Sequence, residues 1–89
     1  MSMFVIAYDL HKSGQDYKAL HERIAKWPTH WHMQGSVWLV STDDSAKIIR
    51  DELKKVLDNN DKLFVGKFSG EAAWKGYTSK TGEWLKKHL

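Results

Sequence analysis

Apolar and polar positions along this chain switch between two periods, and each switch marks an element. Residues 3–10, Met3-Phe4-Val5-Ile6-Ala7-Tyr8-Asp9-Leu10, form a nearly continuous apolar run, the pattern of a strand buried on both faces. Residues 16–27 change to helical spacing, with Tyr17, Leu20, Ile24 and Trp27 on one face, Asp16 as a capping residue and Pro28 as the stop. Residues 31–41 read as extended structure, and Gly35 in their middle predicts a bulge or kink that divides them into two short strands. Thr42-Asp43-Asp44-Ser45 is rich in helix-capping types, and Ala46, Ile49, Leu53 and Val56 follow at helical spacing through about Leu57.

Asp58-Asn59-Asn60-Asp61 reads as a turn, and residues 62–69 as a strand carrying Leu63, Phe64, Val65 and Phe68. A loop over 70–78 holds Trp74 and Tyr77. A short terminal helix over 79–88 packs through Trp84 and Leu85, and its basic last turn, Lys86-Lys87-His88, complements the helix dipole. The order predicts an α+β domain, a single ferredoxin-like βαββαβ sandwich over 1–89 with an antiparallel sheet and an added C-terminal helix. A three-stranded layer with helices on both faces is the other arrangement, and the split at Gly35 decides between them.

Composition narrows the class. At 89 residues, a lone subunit buries only about 60–65% of its unfolded surface, a marginal position that homodimerisation would relieve. Five Trp, three Tyr and three Phe bury a large area per residue and can also face a partner. The absence of cysteine excludes disulfides and thiolate metal sites. No leader-like segment and no apolar stretch near the ~20 residues of a membrane span is visible, so a cytoplasmic protein with no membrane partner is expected. The net charge of +3 is compatible with nucleic acid or nucleotides, and also with an ordinary solvated lysine surface.

Several residues carry candidate chemistry. Asp9 closes the first strand beside His11 and Lys12. It suits a turn-forming carboxylate, and equally a Mg²⁺ ligand that a two-fold dimer would duplicate. His11 suits an exposed turn histidine, a general base or a phosphate contact, and Lys12 a phosphate contact. Gln34, Ser36 and Trp38 share one side if their strand stays regular, as a solvent face, a dimer contact or a base-binding face in which Trp38 stacks and Gln34 and Ser36 hydrogen-bond. Trp74, Lys75 and Tyr77 suit core packing, or a stacking platform with Lys75 on a phosphate. His30 and His32 have the spacing of a zinc pair but no nearby acidic partner, which favours aromatic–histidine packing. Phosphate loops, dinucleotide fingerprints, zinc-protease and serine-nucleophile motifs are absent from the sequence.

The strand ending Ala7-Tyr8-Asp9-Leu10 and the segment Met33-Gln34-Gly35-Ser36-Val37-Trp38 resemble the small CRISPR-associated ("Cas-two") family and the virulence-associated protein D toxins. The length and Gly70-Glu71-Ala72-Ala73-Trp74 are similar to their stand-alone SinR-like relatives. The resemblance covers about residues 3–69. It implies a ferredoxin-like fold, a symmetric homodimer and nucleic-acid handling, with Asp9 of each subunit meeting at the dimer cleft to hold a divalent metal and Gln34 and Ser36 close by. The chain departs from the family where many relatives carry a further acid, since it has His11-Lys12. It also ends in a helix in place of an exchanged strand, and its only arginines are Arg23 and Arg50.

Three functions follow as expectations. One is a Mg²⁺-dependent endoribonuclease-like homodimer with Asp9 as catalytic and metal residue. A second is a non-catalytic binder of a signalling nucleotide at the dimer seam, for example in phage–host defence. A third is a structural interaction module.

Overall fold

In the computed structural model, which describes residues 1–11 and 17–89, seven elements follow one another: β1 (Ser2–Asp9), α1 (Tyr17–Ile24), β2 (Thr29–Gln34), β3 (Val37–Thr42), α2 (Ala46–Lys54), β4 (Lys62–Lys67) and α3 (Ser79–His88). The strands form a single four-stranded antiparallel sheet in the order β2-β3-β1-β4. The domain is therefore α+β, with the uninterrupted apolar strand β1 in the interior of the sheet and β2 and β4 at its edges. Asp16 and Lys12 lie outside the described residues.

Gly35 divides the extended segment as expected. Gly35 and Ser36 connect β2 to β3, and the register slips between His32 and Gln34. The connection is tied to β1, because the Tyr8 N–H donates to the Ser36 carbonyl (3.1 Å). Both helices before a strand end earlier than their apolar spacing. After Ile24 the chain tightens, with Lys26 N–H donating to Arg23 O and Trp27 N–H to Ile24 O. This i→i−3 pattern leads into Pro28, which disfavours helical geometry at the residue before it. After Lys54, Val56 and Leu57 bond to Leu53 and Lys54 in the same way. Ser45 caps α2, its hydroxyl accepting from Ile48 N–H (3.2 Å).

Strand alternation sends Phe4, Ile6 and Tyr8 to one face of the sheet and Met3, Val5, Ala7 and Asp9 to the other. The first face packs against α1 and α2, burying Leu20, Ile24, Trp27, Trp38, Val40, Ile49 and Leu53 in one cluster. Arg23 on α1 bridges to Glu52 on α2 at 3.1 Å and lies 4.4 Å over the Trp27 ring. Hydrogen bonds from Lys55 and Arg23 hold the Glu52 carboxyl below its usual range. The second face packs against α3, where Met3, Leu39 and Leu85 are buried and Val5, Trp31, Met33, Phe68, Trp74 and Trp84 pack around them. No helix among the described residues is long and apolar enough to cross a membrane.

Candidate functional site at the open end of the sheet

The α3 helix covers only part of its face. Toward the C-terminal end of β1, Ala7 and Val37 remain half-exposed, and Asp9, Lys62 and Phe64 are exposed. The register sets these residues side by side: Ala7 pairs with Phe64 and Val37, and Asp9 pairs with Lys62. Phe64 is 62% exposed, where the strand pattern alone expects an ordinary apolar position. Its ring folds over Gly66, where an added Cβ would come within 2.8 Å of the ring. A glycine in this strand interior therefore gives the ring room to lie flat. Ala7, Tyr8, Asp9, Lys62, Leu63 and Phe64 line an open depression of about 290 Å³.

Among the described residues the Asp9 carboxylate forms no ion pair and no side-chain hydrogen bond. His11 is also exposed, and Asp61 fixes its backbone, since Oδ1 accepts from His11 N–H and Oδ2 from Asp58 N–H, both at 2.8 Å. These two N–H donors hold the Asp61 carboxyl below its usual range. Ser36 is half-exposed on the neighbouring connection, joined to Tyr8 through its carbonyl. Asp9, His11 and Ser36 thus gather at one end of the sheet.

Gln34, Ser36 and Trp38 do not share one side. The irregularity after His32 and the two-residue connection break the strand period. Gln34 turns to the α3 face, where its Oε1 accepts from the Tyr77 hydroxyl at 2.6 Å. Trp38 is 6% exposed in the opposite core. Its indole stacks on His32 (4.3 Å between centroids, 7° between planes), so the ring is occupied by protein. Trp38 Nε1 is the one buried side-chain polar atom among the described residues without a hydrogen-bond partner. Trp74 packs beside α3, its indole nitrogen 3.6 Å from the Cβ position of Gly82, and Lys75 is exposed.

Two features escaped the sequence reading. One is His21, which joins the aromatic–histidine packing expected at His30 and His32: it lies 4.9 Å from His32 and 5.3 Å from Trp38, and its Nε2 is 3.1 Å from the Tyr8 hydroxyl. His30 also meets Trp38, at 5.9 Å between centroids, with its Nδ1 2.7 Å from Trp27 O, and His32 Nε2 lies 3.0 Å from Gly35 O. Burial, followed by repulsion from His32, lowers the His21 pKa below its usual value. Helical spacing held the signal for His21, which is four residues after Tyr17 and three before Ile24. The other feature is a groove beside Trp31 and Trp84. No group of three or more His, Cys, Asp or Glu suited to a metal ion occurs among the described residues. No protein-family model matches the chain, and no solved structure matches it.

Proposed function

We propose that the chain is a nucleic-acid- or nucleotide-handling homodimer of ferredoxin-like architecture, in which the open half of the α3 face forms the subunit contact and brings two Asp9 carboxylates to one cleft. The observation that carries this reading is the exposed Asp9, whose carboxylate has no partner among the described residues, set beside the exposed Phe64. An aromatic ring left 62% in water, next to half-exposed Ala7 and Val37, is apolar surface that a second copy would bury. The antiparallel order β2-β3-β1-β4 is compatible with the split βαβ sandwich.

One carboxylate per subunit is too few to hold a divalent ion. Two hard oxygen ligands related by a two-fold axis, completed by water and a phosphate oxygen, fit the preference of Mg²⁺. Such an ion would polarise a phosphate and lower the pKa of a bound water. The chain itself contributes the ligand at Asp9, a neighbouring imidazole at His11 and a cation at Lys62 for phosphate.

The test is Asp9→Asn, which keeps shape and hydrogen-bonding capacity and removes the charge. Cleavage of single-stranded RNA in Mg²⁺ or Mn²⁺ falls by roughly a hundredfold or more, while sedimentation still reports a dimer. Equal cleavage by the variant sinks the metal role. A wild-type chain that cuts no RNA leaves the binding form of the proposal, which the aromatic groove beside α3 favours.

A further inference from the structure

Away from Asp9, the edge strand β2 and the helix α3 enclose a second groove of about 210 Å³, lined by Trp31, Thr78, Lys80, Thr81 and Trp84. The two indoles have centroids 5.6 Å apart with planes at 54°, a tilted contact between the rings, so no ligand ring fits between them and their outer faces are the ones a ligand can reach. Both are half-buried: their inner sides complete the smaller core and their outer sides line the groove. Each is held in place. Tyr77 meets Trp31 edge-on at 5.6 Å while its hydroxyl is anchored on Gln34, and His88 lies 4.5 Å from Trp84.

Lys80 is the charged residue that lines the groove. Lys80, Lys86 and Lys87 of α3 are exposed and form no ion pair among the described residues, against Glu83 as the one acid of that helix. Packing alone accounts for the indoles' inner sides. It does not account for two outer indole faces left bare beside Lys80, whose ammonium forms no ion pair among the described residues; the Thr78 hydroxyl is already engaged in capping α3, where it accepts from Thr81 N–H. A planar ring with an attached anion matches both halves of this lining. Bases of any identity stack on aromatic rings, and lysines without a carboxylate partner attract phosphate.

We propose that this groove binds an unstacked nucleobase with its phosphate, carried by a free nucleotide or by a single strand of nucleic acid. The base stacks against Trp31 and Trp84, and Lys80 meets the phosphate. The inference rests on the nucleic-acid reading above, and needs neither the metal nor the dimer.

The experiment is a ¹H–¹⁵N titration of the full chain, in which each of the five tryptophans gives its own indole N–H signal, assigned through single Trp→Phe variants. Uridine monophosphate and octauridylate are the two probes. The Trp31 and Trp84 signals shift in a saturable way, while Trp27 and Trp38 on the opposite face stay fixed. Lys80→Ala, an exposed change that leaves the fold intact, weakens binding about three- to tenfold and lowers the salt dependence of log K by about one. Equal affinity for both probes identifies a free nucleotide as sufficient, and binding of the octamer alone identifies a single strand. Binding that shifts the Asp9, His11 and Lys62 amides but neither indole overturns the groove and leaves the Asp9 reading standing. Wild-type affinity in Lys80→Ala overturns the phosphate contact. Binding of neither probe overturns the groove and the nucleic-acid reading together.

Discussion

Under α1 and α2, the sheet buries Phe4, Ile6, Tyr8, Trp38 and Val40 to 6% exposure or less; on the opposite face, α3 buries only Met3 and Leu39 to that degree. The difference is one of coverage. Two helices pack on the first face. The ten-residue α3 is roughly 15 Å long, whereas the eight-residue β1 extends about 26 Å. A helix of that size cannot cover a four-stranded sheet, and it sits toward the Met3 end. The uncovered end holds Asp9, Lys62 and Phe64. The closed face therefore carries the stability, and the exposed chemistry collects where the second layer stops.

The sharpest way to break this comparison is to truncate one residue on each face. Ile6 is fully buried in the larger cluster, so Ile6→Ala is expected to cost about 2–5 kcal/mol in urea unfolding at any protein concentration. Phe64→Ser, at high dilution, is expected to stay within about 0.5 kcal/mol of wild type. Its cost then rises with concentration as the proposed subunit contact is lost. If Phe64→Ser matched Ile6→Ala at every concentration, Phe64 would belong to a packed core and the open half-face would not exist.

A smaller effect is expected at Leu85. It is 2% exposed, but its cluster contains only Met3 and Leu39 as further buried members, ringed by partly exposed side chains. A cavity near the surface collapses more easily than one in the main core. Leu85→Ala should therefore cost about 2–3 kcal/mol, below Ile6→Ala, and should change the Trp31 and Trp84 signals while leaving Trp27 and Trp38 unchanged. Loss of stability equal to that of Ile6→Ala would make the two clusters one cooperative core.

The closed face was also the more legible in the sequence. The continuous run through β1, the spacing of Leu20 with Ile24 and of Ile49 with Leu53, and the Ser45 cap all report burial or hydrogen bonding directly, so they led to the right elements. The open face depends on quantities that patterning does not hold. Phe64 has the same alternation whether its side of the edge strand is covered or bare. Gln34, Ser36 and Trp38 were grouped by a period of two that holds only along an unbroken strand, and the register slip at Met33 with the connection at Gly35 and Ser36 reversed the relation. The site at Asp9 was legible as a strand terminus; its neighbour Lys62, 53 residues away in sequence, comes from β4 pairing alone. Trp31 and Trp84 meet only because α3 folds back on β2.

The closed face should also be the one that responds to mild acid. His21 lies there between Tyr8, His32 and Trp38, and its pKa is lowered from the usual 6.5, first by burial and then by His32. A lowered folded-state value means that the unfolded chain takes up the proton first. Stability is therefore full above pH 6.5 and falls as the pH drops below it, until the folded-state value is passed. Asp51, Glu52 and Asp61 also lose stabilisation in acid, but their pKa values are lowered from 3.8 or 4.5, so their loss begins lower on the scale. Urea midpoints at pH 7.5, 6.5 and 5.5 separate the two windows. His21→Gln, which can still hydrogen-bond Tyr8, should flatten the decline between pH 6.5 and 5.5, and His32→Gln should reduce it by a smaller amount because its charge is the second cause. A wild-type slope in His21→Gln would move the acid response off this cluster.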